Sequence, residues 1–413
     1  MVNQPQAAGS LRQTIWLVAF MWGAYFLNYC DRQAVFAMFA ALKTDLEMTD
    51  QQLGLTGSIF LWVYGIGCPL AGQLADRVSK RWLVVLSLVI WSIVTVATGL
   101  AQSALMLLAL RAAMGISESL YMPAAIALTA NATAPSMRSR AVALLTTAQI
   151  AGTVAGAWFG GWMAQRGQWR EAFFVLGGVG VMYAIPYFWF LRQLNVQAGV
   201  DTKPAGSRLA VVELFRVPTF IVLCLVFPIF VFGLWMLYSW LPNFLLEKFS
   251  LGMSDAAFNA TAYMQGATLL GLFCGGILAD ALVRWTKASR LWLSVVSLAC
   301  CAPCLYGIGN CESLAATQIC LAGFGLFSGL LIGNIFPAAF EVVPSDTRAS
   351  AVGLLNFFGS ALSGFAPLVV GTWKSSIGIE RMLGYTACAY AAAAILLIAA
   401  IQFLFRTDYE RVH

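Results

Sequence analysis

Tyr25-Phe26-Leu27-Asn28-Tyr29-Cys30-Asp31-Arg32 sets an acid beside a base, deep in an apolar run that extends from about 14 to 40. A helix crosses a bilayer with ~20 apolar residues, so this pair falls where hydrocarbon would surround it. A charge at bilayer depth costs roughly 2.5–3.5 kcal/mol even on a lenient insertion scale, and it persists where it faces a partner or a watery cavity. Asp31 and Arg32 therefore mark the centre of a polar path through a membrane protein.

The rest of the chain is consistent with that placement. Of 413 residues, 60% are hydrophobic and 10% charged, against ~25% charged in an ordinary soluble domain. Long apolar runs recur twelve times, over about 14–40, 52–75, 82–101, 104–131, 139–163, 171–192, 218–246, 256–283, 290–309, 314–343, 349–373 and 380–405. The first run is too long for a signal-peptide core and no small-residue cleavage pattern follows it, so it reads as a retained span. With the N-terminus placed inside, sixteen of the 24 Lys and Arg fall in cytoplasmic tails and loops and six outside, while Arg32 and Arg111 lie within helices. Cytoplasmic loops are enriched in these residues, which predicts twelve spans with both termini in the cytoplasm. The net charge of +6 is then spread over anchoring loops, and no nucleic-acid partner is implied.

Ten cysteines are scattered over apolar runs, and the one histidine is His413. Metal ligation asks for converging thiolates and usually histidines, so no metal site is expected. The loops predicted to lie outside hold at most Cys311, which argues against a disulfide framework.

Two landmarks repeat. Gly72-Gln73-Leu74-Ala75-Asp76-Arg77-Val78-Ser79-Lys80-Arg81 returns in diverged form as Gly275-Gly276-Ile277-Leu278-Ala279-Asp280, followed by Arg284, Lys287 and Arg290. Pro135-Ser136, with Arg138, Arg140 and Ala141-Val142-Ala143-Leu144-Leu145 after it, returns as Pro344-Ser345, Arg348 and Ala351-Val352-Gly353-Leu354-Leu355. The acid of the first landmark recurs 204 residues on and the proline of the second 209 residues on. Such near-equal offsets imply an internal duplication of the parallel-repeat kind. The organisation expected is a cytoplasmic N-tail over 1–13, a six-helix bundle over 14–192, a cytoplasmic linker over 193–217, a second six-helix bundle over 218–405 and a C-tail over 406–413. The fold class is an all-α membrane protein of twelve transmembrane helices in two parallel-repeat bundles.

Four charges lie within the spans: Asp31, Arg32, Arg111 and Glu118. All are in the first half and they sum to zero, as a buried cluster requires, because an unpaired buried charge is strongly destabilising. Arg111 and Glu118 are seven residues apart, two helical turns, and so share one face. Tyr25, Asn28, Tyr29 and Arg32 form a second stripe. Further polar candidates are Tyr64, Thr146, Thr147, Gln149 and Thr153 in the first half, and Trp235, Tyr238, Trp240, Tyr263, Gln265, Asn334, Asn356 and Ser360 in the second. Together they read as a polar pocket at the junction of the halves.

Twelve spans, duplicated halves and the Gly-x-x-x-Asp-Arg loop resemble the major facilitator superfamily over essentially the whole chain. That resemblance implies that spans one and four face a central cavity. It also implies that Asp76, with Arg77 and Arg81, forms a cytoplasmic latch that gates motion without touching substrate. Asn28-Tyr29-x-Asp31-Arg32, Arg111-x-x-x-Gly115-x-x-Glu118-x-x-x-x-Pro123 and Trp240-Leu241-Pro242-x-Phe244-Leu245 narrow it further. These motifs resemble the anion:cation symporter family, whose members carry sugar acids such as galactonate, glucarate and hexuronates and include sialin-like relatives. The resemblance implies that Arg32 holds a substrate carboxylate and that Tyr29, Tyr64, Gln149 and Asn356 contact the substrate. Asp31 and Glu118 are then the protonatable pair, with Arg111 holding one or the other. Span seven lacks the second arginine found in some relatives, which points to a monoanion.

The function expected is proton-coupled symport of an organic monocarboxylate such as a sugar acid, by alternating access. Protons are the coupling ion and no other cofactor is needed. The Asn-Tyr-x-Asp-Arg signature also occurs in Spinster-like lysolipid and sphingolipid transporters, so lipid or drug transport is the alternative. An enzyme is excluded on inventory, for lack of a metal cluster, a Ser/His pair or a phosphate-cradling loop. A monomer in the bacterial inner membrane is expected, with the lipid bilayer and a small organic anion as its partners.

Overall fold

A computed structural model describes residues 11–121, 124, 125, 128, 135–193, 213–345 and 347–412, with side chains placed at all of these but 11, 69, 72, 73, 75–77, 135–142 and 349. Within hydrocarbon no water can satisfy a backbone N–H or C=O, so a spanning segment must close its own hydrogen bonds. The described elements are accordingly helices. They are α1 (Leu11–Ala37), α2 (Phe39–Asp45), α3 (Asp50–Arg77), α4 (Lys80–Gly99), α5 (Ala104–Ser119), α6 (Pro135–Gln165) and α7 (Trp169–Gln193) in the first part of the chain. After the linker come α8 (Pro218–Phe249), α9 (Met253–Leu282), α10 (Ser289–Asn310), α11 (Leu314–Phe340), α12 (Arg348–Ser363), α13 (Ala366–Ile377), α14 (Ile379–Phe403) and α15 (Phe405–Val412).

Among the described residues eight segments are long and apolar enough to cross a membrane: α4, α7, α8, α9, α10, α11, the α12–α13 stretch 350–377, and α14. The chain is thus a multi-pass membrane protein. In α1 the length suffices, but polar and aromatic residues dilute the apolar run; α3 and α6 include side chains outside the described ones, and α5 is described over 16 residues. Large apolar side chains such as Ile66, Leu105, Met182, Ile277 and Phe403 stay exposed, as lipid-facing residues do.

Two helices begin alike. Ser103 opens α5 by accepting from the N–H of Met106, and Ser313 opens α11 by accepting from the N–H of Ala316, each at 3.2 Å. An N-cap hydroxyl satisfies one of the orphan donors of the first turn, and these two caps sit 210 residues apart.

Two compact units emerge, one over 1–48 and 62–202, the other over 49–61 and 203–413. In the first, α1 lies on α6 through Gly152, Gly156 and Gly160, which meet the backbone at Phe26, Cys30 and Ala34 so closely that an added Cβ would overlap it. Small residues four apart let two helices approach to backbone contact, and here they fix the azimuth of α1, hence where its polar stripe points. A buried aromatic core of Trp91, Tyr121 and Tyr187 with Leu17, Met21 and Leu88 completes this unit. The second unit repeats the device on α9 and α11, where Gly271, Gly325 and Gly329 meet backbone at Leu326, Met264 and Thr268. It also takes in the start of α3, where Gly54 abuts the Pro367 carbonyl and Ser58 Oγ accepts from the N–H of Leu368 at 3.1 Å.

Candidate functional site

Neighbouring residues on a helix point about 100° apart, so Asp31 and Arg32 leave α1 in different directions. Arg32 turns to α5. Its Nη2 donates to Glu118 Oε2 at 2.6 Å and its Nε donates to the same oxygen at 3.2 Å, while Nη2 also lies 3.4 Å from Asn28 Oδ1. Both partners are nearly inaccessible, at 5% and 1% exposure. Charge-assisted hydrogen bonds of this kind are about twice as strong as neutral ones, and in a dry setting the pair's geometry decides whether it repays desolvation.

Two aromatic rings frame the guanidinium. Its carbon stands 4.7 Å from the Tyr29 ring centroid and 4.9 Å from that of Tyr64 on α3. Tyr29 meets Tyr25 edge-on at 5.0 Å, and the Tyr25 hydroxyl is 3.4 Å from Gln149 Oε1 on α6. Nearby, Trp22 Nε1 donates to Thr147 Oγ1 at 3.0 Å. The predicted Tyr29, Arg32, Tyr64 and Gln149 are thus one connected group built from α1, α3, α5 and α6.

Asp31 turns instead to α4. Its Oδ2 lies 3.2 Å from Thr95 Oγ1, and its Oδ1 is buried without a hydrogen-bond partner among the described residues. Glu118 Oε1 is buried in the same way. Arg111 is fully buried on the face of α5 that also carries Glu118, with Nη1 3.2 Å from Met114 Sδ and the guanidinium 6.0 Å from the Phe36 ring centroid. It interacts electrostatically with Glu118, Arg32 and Asp31. All four predicted charges therefore share one buried region, and Arg32–Glu118 is a hydrogen-bonded ion pair within it.

Other predicted positions fall elsewhere. Asn356 lies on α12 of the second unit and is exposed. The side chains of Asp76 and Arg77 lie outside the described ones, and Arg81 is half-buried on the first turn of α4. In the second unit, Gln265 Nε2 donates to the Tyr238 hydroxyl at 3.0 Å, Asn334 Nδ2 bonds back to the Leu330 carbonyl at 2.9 Å, and Tyr263 is exposed. Cys311 and Cys320 bring their sulfurs to 3.9 Å as free thiols.

Sequence reasoning missed Thr95. The signal was there, since Ser87, Thr95 and Thr98 are small polar residues in an apolar span, and all are fully buried on α4.

Comparison with known proteins places this geometry in a family. Residues 21–367 match the model described as the Major Facilitator Superfamily. An "MFS-type efflux pump" of Mycolicibacterium smegmatis is 28% identical over 92% of this chain and 87% of its own length. A "Probable sulfoacetate transporter SauU" of Cupriavidus necator is 27% identical over 92% and 91%. A "D-galactonate transporter" of Escherichia coli is 24% identical over 93% of both. Among solved structures, a bacterial homologue of the human lysosomal transporter Spinster superposes with a TM-score of 0.79 over 97% of this chain and 98% of its own, at 22% identity. The likeness extends to the fold.

Proposed function

The chain belongs to the Major Facilitator Superfamily, and from that premise we propose that it is a proton-coupled symporter importing an organic monocarboxylate, such as a sugar acid, by alternating access. The observation that carries this reading is the framing of Arg32: a guanidinium flanked by the rings of Tyr29 and Tyr64, with Nε and Nη2 both spent on one oxygen of Glu118. Guanidinium geometry matches a carboxylate bidentately. An incoming carboxylate competes for the N–H groups that Glu118 holds. A proton on Glu118 removes its negative charge and weakens that hold, so Arg32 turns to the substrate. Loss of the proton to the cytoplasm restores the pair and expels the anion.

In this reading Tyr29, Tyr64, Gln149 and Asn356 contact the substrate. Asp31 and Glu118 exchange protons, Arg111 tempers their charge, and Asp76, Arg77 and Arg81 gate the cytoplasmic side. The twelve spans run as bundles 14–192 and 218–405 joined by a cytoplasmic linker 193–217, with tails 1–13 and 406–413 also cytoplasmic. The protein acts as a monomer in the inner membrane, without catalysis and without a cofactor, with protons as the coupling ion. The relatives named for sulfoacetate and D-galactonate support an organic anion as substrate.

The efflux pump relative favours a second reading, in which the carrier moves an amphiphile such as a lysolipid or drug. A thermal-shift screen of the purified protein at acid and neutral pH separates the two. It would compare sugar acids, small monocarboxylates, sulfoacetate and lysolipids, with Arg32→Ala alongside. The symport reading expects stabilisation by an organic anion that is stronger at acid pH and absent in Arg32→Ala. Stabilisation by lysolipids alone would replace it with the second reading.

A further inference from the structure

Asp31 ends on a hydroxyl that has two places to put its proton. Thr95 Oγ1 lies 3.2 Å from Asp31 Oδ2 and 2.9 Å from the Trp91 carbonyl one turn earlier on α4. Thr95 is fully buried and Asp31 is 1% exposed. A hydroxyl carries one proton and two lone pairs, so it donates to one of these oxygens at a time. With Asp31 ionised, Thr95 donates to Oδ2. With Asp31 protonated, the carboxyl O–H donates to Thr95 Oγ1 and Thr95 returns its own proton to the Trp91 carbonyl. The heavy atoms serve both arrangements, which differ in a hydroxyl torsion. A threonine bonded to the carbonyl four residues back bends its helix slightly, so the curvature of α4 follows the proton.

The charged and titratable groups around Asp31 are Glu118 and Arg111 on α5 and Cys30 and Arg32 on its own helix. From α6, glycines 152, 156 and 160 face this stretch of α1, and from α7, Tyr183 bonds the Phe20 carbonyl three turns away. From α4, Thr95 is the described side chain that bonds Asp31.

We propose that Thr95 is a positioning residue for proton coupling, a hydroxyl that reverses its donor direction whenever Asp31 gains or loses a proton and so reports Asp31 to the third span. Glu118 answers to Arg32 in the meantime, which gives the two acids separate duties. This inference rests on the proton-coupled reading above.

Infrared difference spectroscopy of the full-length protein in lipid, titrated over a wide pH range, tests it without a known substrate. Asp31→Asn identifies which protonated-carboxyl stretch belongs to Asp31. In Thr95→Val that band moves to higher frequency, and its titration midpoint rises by about one pH unit, because the ionised form loses a charge-assisted donor. Thr95→Ser restores both values, and Thr95→Ala repeats the Val result with no added methyl. An Asp31 band unchanged in Thr95→Val and Thr95→Ala overturns the role of Thr95 and leaves proton coupling standing. A wild-type protein with no Asp31-dependent band at any pH overturns proton exchange at Asp31 itself, and the inference with it.

Discussion

In the first unit, four charged side chains lie in mid-helix: Asp31, Arg32, Arg111 and Glu118, each at most 5% exposed. In the second, the described ion pairs gather at helix ends. Lys374 near the end of α13 bonds Glu247 and Asn243 near the end of α8, Arg290 at the start of α10 bonds Glu341 and Asp280, and Asp408 on α15 accepts from the N–H of Thr219 in the first turn of α8. Hydrocarbon tolerates the second freely and tolerates the first only because its charges sum to zero and pair.

The sharpest way to break this comparison is to attack what the units share. A leucine at Gly156 in the first unit or at Gly325 in the second would drive a side chain into the backbone of α1 or α9. Both variants should yield little monodisperse protein by size-exclusion chromatography. A well-folded Gly156→Leu protein would mean that α1 is not seated as described.

Next come changes that distinguish the units. Arg32→Leu leaves Glu118 buried without its hydrogen-bonded cation, a loss of roughly 3–5 kcal/mol in comparable buried pairs, and the melting temperature should fall accordingly. Adding Glu118→Gln to it should recover part of that loss. Lys374→Ala cuts a pair whose acid is half exposed, so its cost should stay below ~1 kcal/mol. Equal losses in Arg32→Leu and Lys374→Ala would erase the asymmetry.

Tyr64→Leu removes one of the rings against Arg32, a cation–π contact of about 0.5–2 kcal/mol, and should weaken anion binding by about two- to thirtyfold. The smallest effect is expected outside the spans, where hydrogen bonds from Trp169 Nε1 and from Arg170 hold the Asp45 carboxyl below its ordinary range. A carboxyl lowered on folding contributes stability above its unfolded value, and that contribution fades as pH falls through the folded value, hence below about pH 4. Asp45 is largely exposed, so Asp45→Asn should flatten the acid limb of a pH–stability profile by well under ~1 kcal/mol.

Much of this was legible in the chain. Charges inside apolar runs declared themselves, because no other residue is so costly at that depth, and the duplicated loops carried the symmetry. The connection of Tyr29, Arg32, Tyr64 and Gln149 followed from helical spacing and family likeness. Partner choice did not. Asp31 and Arg32 look like a pair in sequence, yet adjacent helical residues diverge, and one goes to Thr95 while the other goes to Glu118. That divergence depends on the azimuth at which α1 sits on Gly152, Gly156 and Gly160, a tertiary quantity no local pattern encodes. Thr95 was overlooked because a threonine in an apolar span is usually satisfied by its own helix, and here the same hydroxyl also meets a carboxyl.

The central claim is that protonation of Glu118 releases Arg32 to the substrate. Proteoliposome transport of the stabilising anion tests it most directly, comparing wild type with Glu118→Gln, a permanent mimic of the protonated acid. The account predicts that Glu118→Gln exchanges substrate across the membrane at equal concentrations but no longer accumulates it against a gradient when the outside is made acid. Accumulation at the wild-type level in Glu118→Gln would contradict the account.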